Sequence, residues 1–276
     1  MPAHVVTIDA DLCANDGACA AVCPAQLIRY DADLDVHVVI PEAAERCIAC
    51  GHCLAVCPEG AVALDGVAAA DCATVEPREW PGVADLGALI CARRSVRQYQ
   101  SRAVERNLLE RLLETCRWAP TGSNRQEVAW SVVAERAGLE RVGDTMVTWL
   151  KDNAVRPESI ASRLPATWLI DGWERGDDPL FRGASTLVVN HGPEAGSAPY
   201  ESALIAMSSF ELLAASAGLG ACWIGFLMGA AQECEALRVR LAVPDGHRLC
   251  GAMVVGYPSY AYQRVPPRQP LRLTWL

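Results

Sequence analysis

The first quarter of this 276-residue chain has little positive charge: residues 1–70 contain ten acidic side chains but only two basic ones, Arg29 and Arg46. An acidic surface repels nucleic acid and attracts basic redox partners, so we expect no nucleic-acid ligand. Ordinary solubilising charge is the alternative explanation of this acidity. The N-terminus lacks the basic flank and apolar core of a signal peptide. Without an export signal, thirteen cysteines predict a reducing compartment, and we expect a cytoplasmic protein.

Long uncharged runs are also scarce. Residues 212–231 form a run of 20 residues without a charge, which is long enough to span a bilayer. Four glycines interrupt it: Gly218, Gly220, Gly225 and Gly229. We therefore predict buried core followed by a cofactor loop, and no membrane partner. The chain is 51% apolar, so a sizeable core is available, and its length predicts about two domains.

A cysteine pattern occurs twice near the N-terminus. The second copy, at residues 47–58, is C-x2-C-x2-C-x3-C-P, the bacterial run that holds iron–sulfur clusters. An offset of 34 residues relates this run to four earlier residues, Cys13, Cys19, Cys23 and Pro24. Zinc prefers two separated ligand pairs, and disulfides require an oxidising compartment. The doubled run therefore predicts two iron–sulfur clusters.

The repeat is broken once, where Asp16 stands in the place of Cys50. The pattern resembles that of dicluster bacterial ferredoxins. The resemblance implies one 4Fe–4S cluster with four thiolate ligands, Cys23, Cys47, Cys50 and Cys53. It implies a second cluster with three thiolate ligands, Cys13, Cys19 and Cys57, and with Asp16 at the fourth corner. A carboxylate is a harder ligand than a thiolate, so this cluster is expected to be 4Fe–4S with Asp16 bound, or 3Fe–4S. A solvated Asp16 is the alternative.

The composition predicts two domains joined by a linker. Residues 1–70 are expected to form a ferredoxin-like domain, with candidate strands at 5–8 and 36–40. Residues 71–84 contain proline and glycine and few periodic apolar positions, which predicts a linker. Residues 85–276 are expected to form the second domain. The six remaining cysteines lack ligand spacing and are predicted to be core or incidental residues: Cys72, Cys91, Cys116, Cys222, Cys234 and Cys250.

The second domain opens with A-R-R-S-V-R at residues 92–97. Its three guanidinium groups and one hydroxyl suit a phosphate, and a solvated basic patch is the alternative. Apolar positions between 104 and 116 recur at helical spacing. The loop at 119–126, A-P-T-G-S-N-R-Q, can hydrogen-bond the edge of a heterocycle, although a simple helix-terminating turn has the same composition. Residues 128–134 are predicted to form a strand.

Two further motifs follow, G-L-G-A-C-W-I-G at 218–225 and G-Y-P at 256–258. In this order the motifs resemble those of the FMN-dependent nitroreductase family across residues 85–276. With its N-terminal module, the chain is similar to ferredoxin–nitroreductase fusions. The resemblance implies an α+β fold, with a central sheet flanked by helices, and a homodimer.

The resemblance also implies an FMN site. It places the phosphate against Arg93, Arg94, Ser95 and Arg97, with Arg268 or Arg264 near the C-terminus. It places the flavin ring against a loop contributed across the dimer interface and against a later backbone segment, namely Pro120, Thr121, Gly122, Ser123, Asn124, Gln126, Ile224 and Gly225. The family often has Q-P-W after S-N-R, whereas Glu127 and Val128 follow Gln126 here. We therefore expect the nearby pocket to have a different shape. No catalytic side chain is assigned.

The implied function is electron transfer from an external low-potential donor (a ferredoxin, a flavodoxin or a reductase) through two clusters and FMN. The expected acceptor is a small molecule such as a nitroaromatic, a quinone or an activated alkene. One alternative is specialised flavin chemistry on the same fold, such as reductive dehalogenation or flavin fragmentation. Another is a non-enzymatic electron relay or redox sensor.

Two expectations concern less patterned parts of the second domain. Residues 144–184 vary in the family and are a candidate lid over the flavin. The alternative is that their aromatic side chains fill gaps between short helices: Trp149, Trp168, Trp173 and Phe181. His191 follows a predicted strand at 185–190 and is expected to be a loop residue rather than a catalytic acid.

Overall fold

The computed structural model describes residues 3–75, 81–196 and 198–276. The chain divides into two units. The first consists of Met1–Trp80 together with Ser123–Arg125, and the second of Pro81–Gly122 together with Gln126–Leu276. Part of the predicted linker, residues 76–80, lies outside the described residues.

The first unit contains two small antiparallel sheets and short helices. Its elements are β1 (Val6–Ile8), α1 (Ala18–Ala21), β2 (Ile28–Asp31), β3 (Val36–Val39), α2 (Ala43–Arg46), α3 (His52–Val56), β4 (Val62–Leu64) and a 3₁₀ helix (Ala69–Asp71). β1 pairs with β4, and β2 pairs with β3. The predicted strands at 5–8 and 36–40 correspond to β1 and β3, each one residue shorter. The first sheet therefore joins the segments that precede and follow the cysteine repeat, and the second lies between its two copies.

The second unit has a four-stranded sheet and most of the helices. Its elements are α4 (Val83–Ala92), α5 (Arg106–Cys116), a 3₁₀ helix (Gly122–Asn124) that leads into the first unit, β5 (Ala129–Val133), α6 (Arg136–Asn153), a 3₁₀ helix (Ile160–Arg163), α7 (Ala166–Glu174), β6 (Thr186–Pro193), α8 (Pro199–Ser216), β7 (Gly220–Trp223), α9 (Gly225–Glu233), α10 (Glu235–Arg240) and β8 (His247–Gly256). The strand order is β5-β6-β8-β7, with each neighbouring pair antiparallel.

Helices cover both faces of this sheet. Successive side chains of a strand point to opposite faces, so Leu187 and Val189 of β6 pack into one apolar cluster with α6, α7, α9 and α10. Val188 lies in a second cluster, which contains residues of α5 and α8. Residues 187–189 of β6 are therefore apolar on both faces of the sheet, whereas Thr186, Asn190 and His191 of the same strand are buried polar residues. This arrangement confirms the predicted α+β fold, with helices flanking a central sheet.

The uncharged run at 212–231 does not form one continuous helix. α8 ends at Ser216, the short strand β7 follows, and α9 begins at Gly225. Among the described residues, no helix is both long and apolar enough to cross a membrane. The glycines interrupt the run as the sequence predicted, but β7 was not predicted.

The candidate lid at 144–184 is mostly helical and packed. α6 extends to Asn153, and Trp149, Trp173 and Phe181 belong to or pack against one apolar cluster, whereas Trp168 is half exposed. This packing favours the gap-filling alternative over a lid.

His191 lies within β6 and is buried, so the prediction of a loop residue was wrong. A shift in strand register between Asn190 and His191 lets β6 continue past the predicted end at residue 190.

Candidate functional site

Four of the repeated cysteines surround one cavity in the first unit. Cys23, Cys47, Cys50 and Cys53 line it, together with apolar side chains such as Leu27. Burial raises the pKa of the Cys53 thiol, and the nearby Cys50 and Cys23 raise it further. The four thiols suit an iron–sulfur cluster because the site combines soft ligands with an apolar wall.

Three other cysteines lie near one another in the same unit. Burial raises the pKa of Cys19, and the neighbouring Cys13 and Cys57 add to the increase. Each of the two groups thus contains cysteines from both copies of the repeat. Over the described residues, no three His, Cys, Asp or Glu side chains are arranged to hold a single metal ion.

Backbone N–H groups are directed at the sulfurs with the same 34-residue repeat. The amides of Asn15 and Ala49 lie 3.4 Å from the Sγ atoms of Cys13 and Cys47. Two more amides lie 3.3 Å from thiols, Leu27 from Cys23 and Ala61 from Cys57. Such N–H···S contacts stabilise thiolates and tune the potential of a cluster. The two halves therefore match in backbone geometry as well as in sequence.

The Asp16 position differs from its counterpart in the second copy. Asp16 is exposed, and its Oδ1 accepts a hydrogen bond of 3.0 Å from the amide of Ala18 at the start of α1. Cys50, by contrast, lines the cavity described above. One carboxylate oxygen of Asp16 is thus engaged in a local turn.

In the second unit, the predicted phosphate-binding segment borders a cleft of about 250 Å³. Arg93 and Arg94 line this cleft, as do Glu211, Gly218 and Tyr262. Two arginines of the R-R-S-x-R segment and Gly218, the first glycine of the G-L-G-A-C-W-I-G motif, therefore line the same cleft. Guanidinium groups beside glycine backbone suit an anion because they offer donors without steric obstruction.

The R-R-S-x-R segment lies alongside β7. Ser95 forms a parallel bridge with Ala221, and the amide of Val96 donates to the Ala221 carbonyl at 3.0 Å. The Arg97 guanidinium is exposed and donates to the Ser95 carbonyl at 3.3 Å. The R-R-S-x-R segment and β7, more than 120 residues apart in the sequence, therefore lie side by side.

The loop predicted to contact the flavin ring is held by side chains. The Gly122 amide donates to Ser202 Oγ at 3.0 Å, and the Gln126 amide donates to Thr121 Oγ1 at 3.0 Å. Ser123, Asn124 and Gln126 have left-handed backbone angles, and Pro120 is exposed.

Asn124 is grouped with the first unit. There its Nδ2 donates to the carbonyls of Ile48 and Ala49, at 3.1 and 2.9 Å. Its side chain is therefore engaged by the backbone between Cys47 and Cys50.

The backbone segment predicted near the reactive part of the flavin begins at the end of β7. Ile224 is buried, and its amide donates to the Ala252 carbonyl at 2.9 Å. Gly225 begins α9 and faces open space, since a Cβ added there would meet no atom within 4 Å. Arg264 and Arg268 are exposed in residues 259–276, a segment that forms neither helix nor strand.

Glu211 is a residue of this cleft that the sequence analysis missed. Its carboxylate accepts hydrogen bonds from Arg93 and from the indole of Trp223. A signal was present, because Glu211 is the one charged side chain on the core-facing stripe of α8. Apart from Ser202, the other buried residues of α8 are apolar, among them Met207, Phe210 and Ala214.

Comparison with known proteins identifies both parts of the chain. The nitroreductase family model matches residues 90–257, and the 4Fe-4S dicluster domain model matches residues 5–72. A search of curated proteins found no match.

Several solved structures have a similar fold. A nitroreductase with bound FMN from Bacteroides fragilis is 22% identical, with a TM-score of 0.54, over 70% of this chain and 98% of that one. A nitroreductase-like family protein from Bacillus cereus is 21% identical, with a TM-score of 0.53, over 72% and 95% of the two chains. A mutant of an FMN- and NADPH-dependent nitroreductase from Sphigopyxis sp. is 21% identical, with a TM-score of 0.53, over 67% and 94%.

The nitroreductase match covers more than half of the chain and includes the R-R-S-x-R segment, β7 and the cleft between them. The dicluster match covers both copies of the cysteine repeat. The chain therefore belongs to the nitroreductase family and carries a 4Fe–4S dicluster domain ahead of its nitroreductase domain.

Proposed function

We propose that the chain is an FMN-dependent oxidoreductase that passes electrons from a low-potential donor through two iron–sulfur clusters to FMN, and then to a small acceptor. The observation that carries the proposal is the grouping of cysteines from both repeat copies, in a chain that also belongs to the nitroreductase family. Nitroreductases that take hydride from a nicotinamide cofactor do not need such a module.

The proposed cluster ligands follow the two cysteine groups. One 4Fe–4S cluster would be held by four thiolates, Cys23, Cys47, Cys50 and Cys53. The other would be held by three thiolates, Cys13, Cys19 and Cys57. The exposed Asp16 carboxylate would stand at the corner of this cluster that corresponds to Cys50 in the first site. Because one of its oxygens already accepts the Ala18 amide, we propose that this fourth iron is held weakly and that a 3Fe–4S form is readily reached.

FMN is the proposed flavin because the Bacteroides fragilis structure is a nitroreductase with bound FMN, and the guanidinium donors of this cleft suit a phosphate. The phosphate would be held by the R-R-S-x-R segment, through Arg93, Arg94, Ser95 and Arg97. Arg264 or Arg268 would add a further basic contact. The backbone at Ile224 and Gly225 would lie against the ring, where the absence of a side chain on Gly225 leaves room. A loop of the partner subunit would contact the ring through the residues Pro120, Thr121, Gly122, Ser123, Asn124 and Gln126.

A homodimer is part of this proposal. α4 exposes Val83, Leu86 and Ile90, and the C-terminal segment exposes Leu271 and Trp275. Large exposed apolar side chains that cluster on two segments mark interaction surfaces. A second copy of the chain would cover them. Light scattering should then give twice the mass of the 29.6 kDa chain.

In the proposed mechanism, the protein positions the groups and excludes competing reactions, while FMN when bound supplies the hydride and one-electron chemistry. The thiolates and their N–H donors set the cluster potentials. The guanidinium groups of the R-R-S-x-R segment would hold the phosphate, and the backbone after β7 would lie against the ring. The acceptor, a nitroaromatic, a quinone or an activated alkene, would stack on the open face.

Anaerobic purification with iron, sulfide and flavin analysis tests the cofactor assignment. About seven or eight irons per chain are expected from the doubled ligand run, together with one FMN. A chain that contains zinc, or no flavin after reconstitution, would contradict it.

The electron path is tested by the choice of donor. We expect a reduced bacterial ferredoxin to support reduction of a nitroarene panel, and we expect Cys53→Ala, which removes one cluster thiol, to abolish this activity. The matched control is Cys91→Ala, an exposed cysteine outside both groups. Turnover with NADPH that is equally fast in Cys53→Ala would instead show that the clusters are not on the path. If no small acceptor reoxidises the reduced enzyme, an electron-relay role replaces the proposed one.

A further inference from the structure

A buried carboxylate links the two walls of the proposed FMN cleft. Glu211 is 9% exposed and lies on α8 among apolar neighbours. Burying a carboxylate costs free energy unless it is paired and hydrogen-bonded, so a chain that places one here needs partners for it. Both oxygens have such partners.

The two partners come from different segments. Arg93 Nη1 donates to Glu211 Oε1 at 2.8 Å, and Trp223 Nε1 donates to Glu211 Oε2 at 3.3 Å. Arg93 directly follows α4, and Trp223 is the last residue of β7. One carboxylate therefore joins α8 to the phosphate-binding segment and to the strand that leads into Ile224 and Gly225.

The geometry leaves Arg93 able to bind a second anion. A guanidinium group has five N–H donors on three nitrogens, and Glu211 engages one nitrogen, Nη1. The side chain of Arg93 is 23% exposed and borders the cleft. Glu211 thus removes much of the freedom of a long side chain while donors remain for a phosphate.

Charge separates two possible roles of Glu211. Arg93, Arg94 and Arg97 carry three positive charges, and Glu211 offsets one of them, leaving a net charge of about +2, which balances that of a phosphate monoester, about −1.5 to −2 at pH 7. If Glu211 acted through charge alone, removing it would strengthen FMN binding. If it acts by holding Arg93 in place, removing it weakens binding. The two roles therefore predict opposite changes in FMN affinity when Glu211 is removed.

We propose that Glu211 is a positioning residue for the cofactor: it fixes the Arg93 guanidinium at the phosphate end of the cleft and the end of β7 at the ring end. The inference rests on the proposed FMN function. It assigns a role to a residue that lies outside the recognised motifs and 118 positions from Arg93.

The test is a double-mutant cycle on the dissociation constant of FMN, measured by flavin fluorescence with the full chain. Hydrogen bonds between charged groups contribute about 1.5–3 kcal/mol, so Glu211→Ala is expected to weaken FMN binding by roughly 10- to 100-fold. In an Arg93→Ala background, the same substitution should change the constant by less than about threefold, because its partner is already absent. Glu211→Gln retains an acceptor oxygen and should weaken binding less than Glu211→Ala.

Asp178→Asn is the matched control. Asp178 is also a buried carboxylate paired with an arginine, Arg136, at 3.1 Å, but it does not line the cleft. It should lower stability without changing the dissociation constant.

Each further outcome has a distinct meaning. Unchanged or tighter FMN binding in Glu211→Ala overturns the inference, as does an equal loss of affinity with and without Arg93. If Glu211→Ala does not fold, unaltered binding by Glu211→Gln also overturns it. A wild-type protein that binds no FMN contradicts the proposed function itself.

Discussion

Gly220 allows the phosphate-binding segment to approach β7, and its replacement by alanine is a sharp test of that packing. A Cβ added at Gly220 would lie 2.6–2.8 Å from three atoms of Val96, namely Cγ2, Cβ and Cγ1. Val96 cannot easily retreat: it is 6% exposed, its amide is bonded to Ala221, and its carbonyl accepts the Tyr99 hydroxyl at 2.7 Å. A β-branched side chain is also stiff at χ1. Relief therefore requires the R-R-S-x-R backbone to move by roughly 1 Å, since ordinary carbon contacts lie near 3.5–4.0 Å.

The magnitude follows from two opposing effects. Overpacking a well-packed site costs about 1–3 kcal/mol. Replacing glycine by alanine recovers about 0.4–1 kcal/mol, because the unfolded chain loses conformational freedom. Gly220→Ala should therefore destabilise the protein by roughly 1–2 kcal/mol, which lowers Tm by about 2–8 °C for a domain of this size. Because the displaced segment carries Arg93, Ser95 and Arg97, FMN affinity should fall as well.

The assay combines a thermal melt with FMN titration, and Gly192→Ala is the matched control. Gly192 is a buried glycine of β6 in the same sheet, but a Cβ there would meet nothing closer than 3.6 Å. That variant should be as stable as the wild type or slightly more stable. If Gly220→Ala has the same Tm as the wild type and binds FMN equally well, the close approach of the R-R-S-x-R segment to β7 is not a packing constraint. That result would refute the argument.

Three other substitutions test separate parts of the structure. Asp16→Cys should make the two clusters spectroscopically alike by EPR; unchanged spectra would count against Asp16 standing at a cluster corner. Gly143→Ala would place a Cβ in steric clash with the Trp173 ring and should lower the free energy of urea unfolding by about 1–3 kcal/mol. Adding Trp173→Leu should largely restore that stability. If Gly143→Ala is as stable as the wild type, the contact with Trp173 is loose. Burial and the neighbouring His247 lower the pKa of His191, so the unfolded chain binds the proton more readily and stability should fall as the pH drops below the ordinary value of 6.5. His191→Gln should flatten that dependence between pH 7.5 and 5.5, and an identical slope in the variant would exclude His191 as its source.

Several features of the chain could be predicted from the sequence because they depend on local spacing. The cysteine repeat is of this kind, since the loop between Cys47 and Cys53 is short enough for the sequence to define its chemistry. The four motifs of the second domain occur in the family order, and the resemblance that they carry implied the sheet flanked by helices. The interruption of residues 212–231 followed from its glycines.

Other features were missed because the local signals were weak. β7 has four residues and begins with glycine, and it exists because it pairs with the end of β8. His191 lies beyond a register shift that sequence patterns do not show, so the end of β6 was misplaced. The aromatic residues of 144–184 have no clear period, yet tertiary packing places most of them in the core.

The sequence by itself determined which ligand chemistry and which family motifs this protein carries, because thiolates, glycines and guanidinium groups have the same properties wherever they lie. Only the tertiary structure decided which of them meet. Ser95 of the R-R-S-x-R segment forms a bridge with Ala221 of β7, and Glu211 reaches Arg93 across 118 positions. Such contacts arise when distant segments pack together to bury apolar surface, and the spacing of residues along the chain contains no record of that packing.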